Sequence, residues 1–227
     1  MLRIDLLRHG ETTLSHTLRG STDDALTENG WAQMQYTIQQ HVATIQDHAD
    51  TQSLDHPHQA LEWQAIFSSP LQRCADFAQH LADQFQLNLI VDAHLQEMDF
   101  GDWEGQSTAD IYAESPELLA QFWQLPMQYC APNGETMQHF HARIIQAFEA
   151  IQQYMLVHDL KHVLVVTHGG VIKLLKCLAL QQPLDQVLSM QAEHGQLSCF
   201  ELTYVNEDDN KAHLQFKCLG PMGTDLC

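Results

Sequence analysis

Basic residues are scarce in this sequence of 227 residues. Ten Lys and Arg stand against 29 Asp and Glu, so the formal net charge at pH 7 is -19. A surface of that charge repels the phosphates of nucleic acids and the headgroups of anionic membranes. We therefore expect neither nucleic acid nor a membrane among its partners, and we interpret the acidic excess mainly as an aid to solubility.

Long apolar runs and paired cysteines are also missing. No uncharged segment is long enough to cross a bilayer, and the apolar stretch near the N-terminus is too short for a signal peptide. The six cysteines include no CxxC pair and lie mostly within apolar runs, which predicts buried free thiols in a reducing compartment. Together these features predict a cytoplasmic protein.

Metal-binding patterns are absent despite 15 histidines. The sequence has neither HExxH nor a compact Cys/His cluster. His139 and His141 fall in a helical pattern, where residues two apart do not share a face. We therefore predict no metal site and interpret most histidines as solvated surface residues.

Strand and helix patterns alternate along the chain. Strands are predicted at 2–7, 65–69, 88–91, 162–167, 199–205 and 213–219. Helices are predicted at 28–45, from Pro70 onward with Ser69 as N-cap, at 135–156 and at 169–180. The polar segment 47–59 is predicted as a surface loop or insertion. Alternation of this kind predicts one α/β domain over residues 1–227, with a largely parallel, helix-flanked sheet in three layers. A lid-like helical insertion is predicted at about 95–136.

Charged side chains follow three of the predicted strands. Arg8 and His9 come directly after the first strand, and Arg73 follows the second near a helix start. His168 and Gly169 follow the strand at 162–167, again at a helix start. Ligands of open parallel sheets bind at the carboxyl ends of the strands, and helix N-termini favour phosphate. The pattern predicts an anion site at this edge.

Five segments carry a resemblance to a known family. They are RHGET at 8–12, SSPLQRC at 68–74, EMDFGDWEG at 97–105, PNGET at 132–136 and VVTHGGVIK at 165–173. In this order, and over nearly the whole chain, they resemble the histidine phosphatase superfamily, whose fold is shared with the cofactor-dependent phosphoglycerate mutases.

The resemblance implies a role for each matching residue. His9 would attack phosphorus and form a phosphohistidine, and Arg8, Arg73 and His168 would surround the phosphoryl oxygens. Glu97 would act first as general acid toward the leaving oxygen and then as general base toward water. The resemblance implies neither a metal nor another cofactor.

The roles of several other residues remain open. Asp99, Asp102 and Glu104 lie near Glu97 in sequence and are rival acids. The Gly169 N–H is a further expected donor to phosphate, and Ser15, which stands where many members have Asn, is expected to donate to a phosphate oxygen. Arg19 is expected to contact phosphate or substrate, with an ordinary surface arginine as an equal alternative.

The short loop after RHGET and the FGDWEG segment favour the phosphatase branch over the mutases, with the closest resemblance to α-ribazole phosphatases. The expected partner is a small phosphorylated metabolite, with α-ribazole 5'-phosphate of cobalamin nucleotide-loop assembly as the first choice. The alternatives are a broad-specificity phosphatase, a phosphoglycerate mutase and a non-catalytic phosphate-binding interaction protein. Aromatic residues of the 95–136 region are interpreted either as core or as a stacking surface for a flat substrate. The oligomeric state stays open, a homodimer being one candidate.

Overall fold

A computed structural model describes residues 1–48, 62–206 and 212–219. Its strands are β1 (Leu2–Arg8), β2 (Ala65–Ser68), β3 (Asn88–Val91), β4 (His162–Thr167), β5 (Leu197–Asn206) and β6 (Ala212–Leu219). Within the described residues they form one sheet of six strands in the order β3-β2-β4-β1-β5-β6. The first four pair in parallel, whereas β5 and β6 are antiparallel. The predicted, largely parallel sheet is confirmed. The sequence also predicts that its last two strands form a hairpin around NEDDN at 206–210. The antiparallel pairing of β5 and β6 confirms the hairpin, and residues 207–210 lie outside the described residues.

Helices cover both faces of the sheet. They are α1 (Glu28–His48), α2 (Gln72–Phe85), α3 (Thr108–Glu114), α4 (Pro116–Gln124), α5 (Met137–Val157) and α6 (Gly169–Ala179). Side chains of α1 and α2 pack with Leu164 and Val166 on one face. Side chains of α5 and α6 pack with Val163 and Val165 on the other. The predicted three-layer α/β arrangement is therefore confirmed.

The central strand β4 explains this layering. All six of its residues, HVLVVT, are buried. Successive side chains of a strand point to opposite faces, so a continuous apolar run supplies both cores at once. Each fully buried Val or Leu contributes about 1.5–3 kcal/mol.

Several predicted boundaries are wrong. Helix α2 begins at Gln72, two residues after Pro70, because Leu71 has an extended backbone with φ -66° and ψ 136°. The Ser69 hydroxyl accepts the Leu71 N–H at 3.3 Å and also contacts His168. Helix α1 continues through His48 into the start of the predicted 47–59 loop, whose remainder lies outside the described residues. Helix α5 begins after Thr136, whose side chain accepts the N–H of His139.

The 95–136 region holds α3, α4 and a short 3₁₀ turn at Gly101–Trp103. Trp103 and Phe122 are buried and belong to the core, as one of the two interpretations of these aromatic residues held. Whether the region acts as a lid stays a prediction.

Two further sequence expectations concern cysteines and membranes. Cys74, Cys130, Cys177 and Cys199 are free thiols, but Cys218 is disulfide-bonded, so the expectation of six free thiols is wrong. Across the described ranges, no helix combines the length and apolarity that a bilayer span requires.

Candidate active site

Parallel pairing brings the ends of three strands to one edge of the sheet. Arg8 pairs with Thr167 between β1 and β4, and Ser68 pairs with Val166 between β2 and β4. The residues that follow these strands, including His9, are therefore neighbours. The His9 N–H donates to the Thr167 carbonyl at 3.0 Å.

His9 is held as a neutral imidazole with one free nitrogen. Its side chain is only 3% exposed, and Nδ1 lies 2.8 Å from the Gly10 carbonyl oxygen. A carbonyl oxygen only accepts, so Nδ1 carries the proton and Nε2 presents a lone pair. Burial, followed by the positive charges of Arg73 and Arg8, lowers the pKa of His9 well below its usual value. These features give His9 the form of a nitrogen nucleophile.

His168 lies against His9 with both ring nitrogens engaged by the protein. The two ring centroids are 5.3 Å apart in an edge-on arrangement. The His168 Nδ1 accepts from Arg73 Nε at 3.3 Å, which leaves Nε2–H to donate to the Ser69 hydroxyl at 2.8 Å. Burial and then Arg73 lower the pKa of His168 well below its usual value. His168 is therefore neutral as well.

Arg73 is completely buried, and the protein occupies most of its donors. Besides the bond to His168, Nη1 donates to the Thr22 carbonyl at 2.7 Å and to Asp24 at 3.1 Å, and Nη2 donates to the Gly20 carbonyl at 2.7 Å. A guanidinium has five N–H donors. One Nη2 hydrogen is left for a ligand.

Arg8 and Arg19 retain more unused donor capacity. Arg8 Nη1 donates to the Ala192 carbonyl, while its buried Nε has no hydrogen-bond partner among the described residues. The Arg19 side chain is 7% exposed and its Nε forms an ion pair with Asp24 at 3.3 Å. The terminal nitrogens of Arg19 make only contacts of 3.4–3.5 Å, one of them to the Ser15 hydroxyl. The Arg19 side chain is therefore largely buried, with few strong hydrogen bonds of its own.

Glu97 is the carboxylate that faces this site. Its Oε2 accepts the Gly170 N–H at 2.9 Å and its Oε1 accepts the Met98 N–H at 3.0 Å. Arg143 donates to the Glu97 carbonyl at 2.8 Å and is itself held by both carboxylate oxygens of Glu135. Arg143 therefore positions the backbone of Glu97, a contact that its position in sequence does not indicate.

The three rival acids accept hydrogen bonds from other parts of the protein. Asp99 accepts the N–H of Gly101 at 2.8 Å, and the exposed Asp102 accepts from Asn133 at 2.9 Å. Glu104 accepts hydrogen bonds from four backbone N–H groups and one hydroxyl, which belong to Gly20, Ser21, Thr22 and Phe100. Burial raises the pKa of Glu104, but these hydrogen bonds outweigh it and lower that pKa. Glu104 anchors residues 20–22, whose carbonyls hold Arg73.

A cavity of about 240 Å³ opens at this edge of the sheet. Its polar lining comes from Arg8, Ser15, Arg19, Glu97, Lys173 and His194. Phe100, Leu188 and Trp123, which is 39% exposed, supply apolar wall. His9, Arg73 and His168 do not line the cavity and are buried beside it.

The glycines at the start of α6 allow close packing. Gly169 lies against Arg8, whose Cζ would be 3.1 Å from an added Cβ. An added Cβ on Gly170 would lie 2.1 Å from Glu97 Oε1. Gly170, next to the predicted Gly169, is the one whose N–H reaches Glu97.

Sequence reasoning missed His194, Lys173 and Arg143. Lys173 lies within the VVTHGGVIK segment, and its place in that motif is a signal that could have identified it. No local pattern marks His194 or Arg143. In the described part of the chain, no group of three or more His, Cys, Asp and Glu side chains is arranged to hold a metal ion.

The model of the histidine phosphatase superfamily (branch 1) matches residues 4–210. Among curated relatives, the adenosylcobalamin/alpha-ribazole phosphatase of Escherichia coli is 26% identical over 209 residues, which cover 91% of each chain. The bifunctional protein Rv2228c of Mycobacterium tuberculosis is 31% identical over 201 residues, or 88% of this chain. The present chain spans 50% of the length of that mycobacterial relative.

Solved structures share the fold. A putative alpha-ribazole-5'-P phosphatase from Escherichia coli has a TM-score of 0.70 at 23% identity and covers 99% of both chains. The structure described as mycobacterial hydrolase 1 has a TM-score of 0.76 at 21% identity, over 96% of this chain and 97% of that one.

Proposed function

Because the chain belongs to the histidine phosphatase superfamily, we propose that it is a metal-independent phosphomonoesterase that works through a phosphohistidine on His9. The observation that carries this proposal is the hydrogen bond from His9 Nδ1 to the Gly10 carbonyl, which leaves Nε2 as a free nucleophile. The nearby guanidinium groups of Arg8 and Arg19 have donors to spare for a phosphate.

The first step transfers the phosphoryl group to the enzyme. His9 Nε2 forms a bond to phosphorus while the bond from phosphorus to the leaving oxygen breaks, and Glu97 gives its proton to that oxygen. Arg8, Arg19 and the remaining Arg73 hydrogen neutralise the charge that spreads over the phosphoryl oxygens. Preorganised cations replace the role that a metal ion plays in other phosphoryl-transfer sites.

The second step returns the enzyme to its starting state. Glu97, now a carboxylate, takes a proton from water as the water oxygen attacks phosphorus. The nitrogen–phosphorus bond breaks, which releases inorganic phosphate and restores the His9 lone pair. The hydrogen bond from the Gly170 N–H to Glu97 Oε2 holds Glu97 at the cavity during both steps.

As substrate we propose α-ribazole 5'-phosphate, with broad specificity for small phosphate esters as the alternative. Support comes from the 26% identity to the phosphatase of that name over 91% of each chain. The flat, partly exposed ring of Trp123 lines the cavity, and a benzimidazole base would stack on it.

Lys173 favours a second candidate, a substrate whose leaving group is anionic, such as a phosphoglycerate. This lysine lines the cavity, and its side chain has neither a hydrogen bond nor an ion pair among the described residues. Burial lowers the pKa of Lys173, with the Glu97 charge opposing that effect. A carboxylate on the leaving group would supply the missing partner.

Hydrolysis of p-nitrophenyl phosphate in excess EDTA tests the proposed chemistry. We expect activity that survives EDTA, is lost in His9→Ala and is unchanged in His139→Ala, an exposed histidine on α5. A protein stopped during turnover should carry acid-labile, base-stable phosphate. Retained activity in His9→Ala would show that the nucleophile is wrong, and loss with EDTA would contradict a metal-independent mechanism.

A substrate panel tests the specificity. We expect kcat/KM to be higher for α-ribazole 5'-phosphate than for 3-phosphoglycerate. A preference for 3-phosphoglycerate that Lys173→Met reduces by about tenfold, the loss of one charge-assisted contact, would select the second candidate instead.

A further inference from the structure

Residues 192–196 form a tight turn, called here the 192–196 turn. Hydrogen bonds join it to the end of the strand that carries His9. Its hydrogen bonds are Arg8 Nη1 to the Ala192 carbonyl, the Arg8 N–H to the Gln196 carbonyl at 3.0 Å, the Gly195 N–H to the His9 carbonyl at 3.3 Å and the Thr37 hydroxyl to the Gly195 carbonyl at 2.6 Å. Gly195 has a φ of +68°, a conformation that glycine adopts without strain. The turn is therefore a fixed part of the site.

This turn places His194 on the wall of the active-site cavity. Its ring centroid lies 5.6 Å from that of His9. The His194 Nε2 is buried and has no hydrogen-bond partner among the described residues. Buried polar atoms in folded proteins almost always have a partner. An acceptor that arrives with the ligand would provide one.

The charges that act on His194 come from two parts of the chain. Arg8 lies at the end of β1 beside His9, and Arg19 and Glu11 lie in the loop that follows. Burial, then Arg8 and Arg19, lower the pKa of His194 to about 4, and Glu11 raises it only in part. The imidazole is thus neutral at pH 7 in the empty site. A dianion seated against both arginines would cancel their repulsion of a charged ring.

We propose that His194 contacts the phosphoryl group, with Nε2–H donating to a phosphoryl oxygen, and that binding of a dianion places a proton on its ring. The inference deepens the proposed function, because it rests on phosphate binding beside His9. It makes His194 a third histidine of the site and couples binding of the dianion to proton uptake.

Titration calorimetry with inorganic sulfate tests this inference without turnover. Sulfate stays a dianion near pH 6, so any proton taken up goes to the protein. Comparing buffers of different ionisation enthalpy gives the number of protons. We expect wild-type protein to take up protons near pH 6, and His194→Gln to bind sulfate about ten- to a hundredfold more weakly with less proton uptake. His139→Gln, on the exposed face of α5, should match wild type.

Other outcomes would overturn the inference. Sulfate affinity and proton uptake that are equal in wild type and His194→Gln would exclude the contact, and weaker binding with unchanged uptake would exclude the protonation. If His194→Gln fails to fold, imidazole nitrogen NMR of wild type serves instead: no histidine that changes from neutral to charged on sulfate addition contradicts the proposal. Activity retained in His9→Ala would contradict the phosphohistidine mechanism but would not affect the conclusion from sulfate binding.

Discussion

Replacing Glu104 by Gln should destabilise the protein and weaken catalysis, although Glu104 does not line the cavity. The Glu104 carboxylate accepts from five donors, at 2.8 Å from the Gly20 N–H and 2.5 Å from the Thr22 hydroxyl at the closest. The same two residues offer their carbonyls to Arg73, both at 2.7 Å. The effect should therefore reach the phosphate site through Arg73.

The magnitude follows from counting acceptors. A carboxylate has about four lone-pair sites, whereas an amide oxygen has two and the amide NH₂ is itself a donor. If the new NH₂ takes the place of Oε2, the N–H and hydroxyl of Thr22 lose their acceptor. If it takes the place of Oε1, the N–H groups of Ser21 and Phe100 lose theirs, so two donors are lost in either case. At about 1–2 kcal/mol for each bond to a half-buried charged group, the free energy of unfolding should fall by about 2–4 kcal/mol.

Urea denaturation and steady-state kinetics measure the two effects. We expect the urea midpoint to fall without a change in slope, and kcat/KM for an aryl phosphate to fall by about tenfold as Arg73 loses its fixed carbonyls. Asp102→Asn is the matched control, because the exposed Asp102 carboxylate accepts only from Asn133 in the described residues. The free energy of unfolding of Asp102→Asn should differ from that of wild type by less than about 0.5 kcal/mol.

Two results would refute this reasoning. Stability of Glu104→Gln within about 0.5 kcal/mol of wild type would mean that the five contacts contribute little in water. A loss of stability with unchanged kcat/KM would mean that Arg73 does not depend on residues 20–22.

The remaining predictions concern pH, packing and salt. In the folded protein, burial raises the pKa of Asp5, but the hydrogen bond and charge of His162 outweigh burial and lower it to about 2. Because the unfolded value is about 3.9, the stability that ionised Asp5 contributes is present above that pH and lost as pH falls toward 2. Asp5→Asn should flatten the dependence of stability on pH in that window, and an unchanged slope would count against this account. Gly170→Ala should lower kcat by about tenfold or more, because the new Cβ displaces Glu97; a kcat within about twofold of wild type would argue against Glu97 as the acid. Catalytic efficiency should rise modestly with salt up to about 0.1 M and then fall, since the net charge of -19 repels a phosphate dianion until it is screened; a steady fall from the lowest salt would contradict this.

The layers of the fold, and the strand ends at which the site lies, can be predicted from the order of residues along the chain. The run VLVV at 163–166 is apolar at every position, and only a strand covered on both faces buries it completely. Arg8 ends β1, and His9 and His168 directly follow β1 and β4, so the parallel pairing of these two strands places the three residues close together. The position of each residue at the end of a strand can be predicted from a few consecutive residues, whereas the pairing of β1 with β4 belongs to the tertiary structure.

The hydrogen-bond partners of the polar groups, in contrast, depend on how the elements pack in three dimensions. Glu104 holds residues more than 80 positions away, and the 192–196 turn brings His194 to His9 across almost the whole chain. A hydrogen bond depends on distance and angle between two atoms, and spacing along the chain encodes neither when the partners belong to different elements.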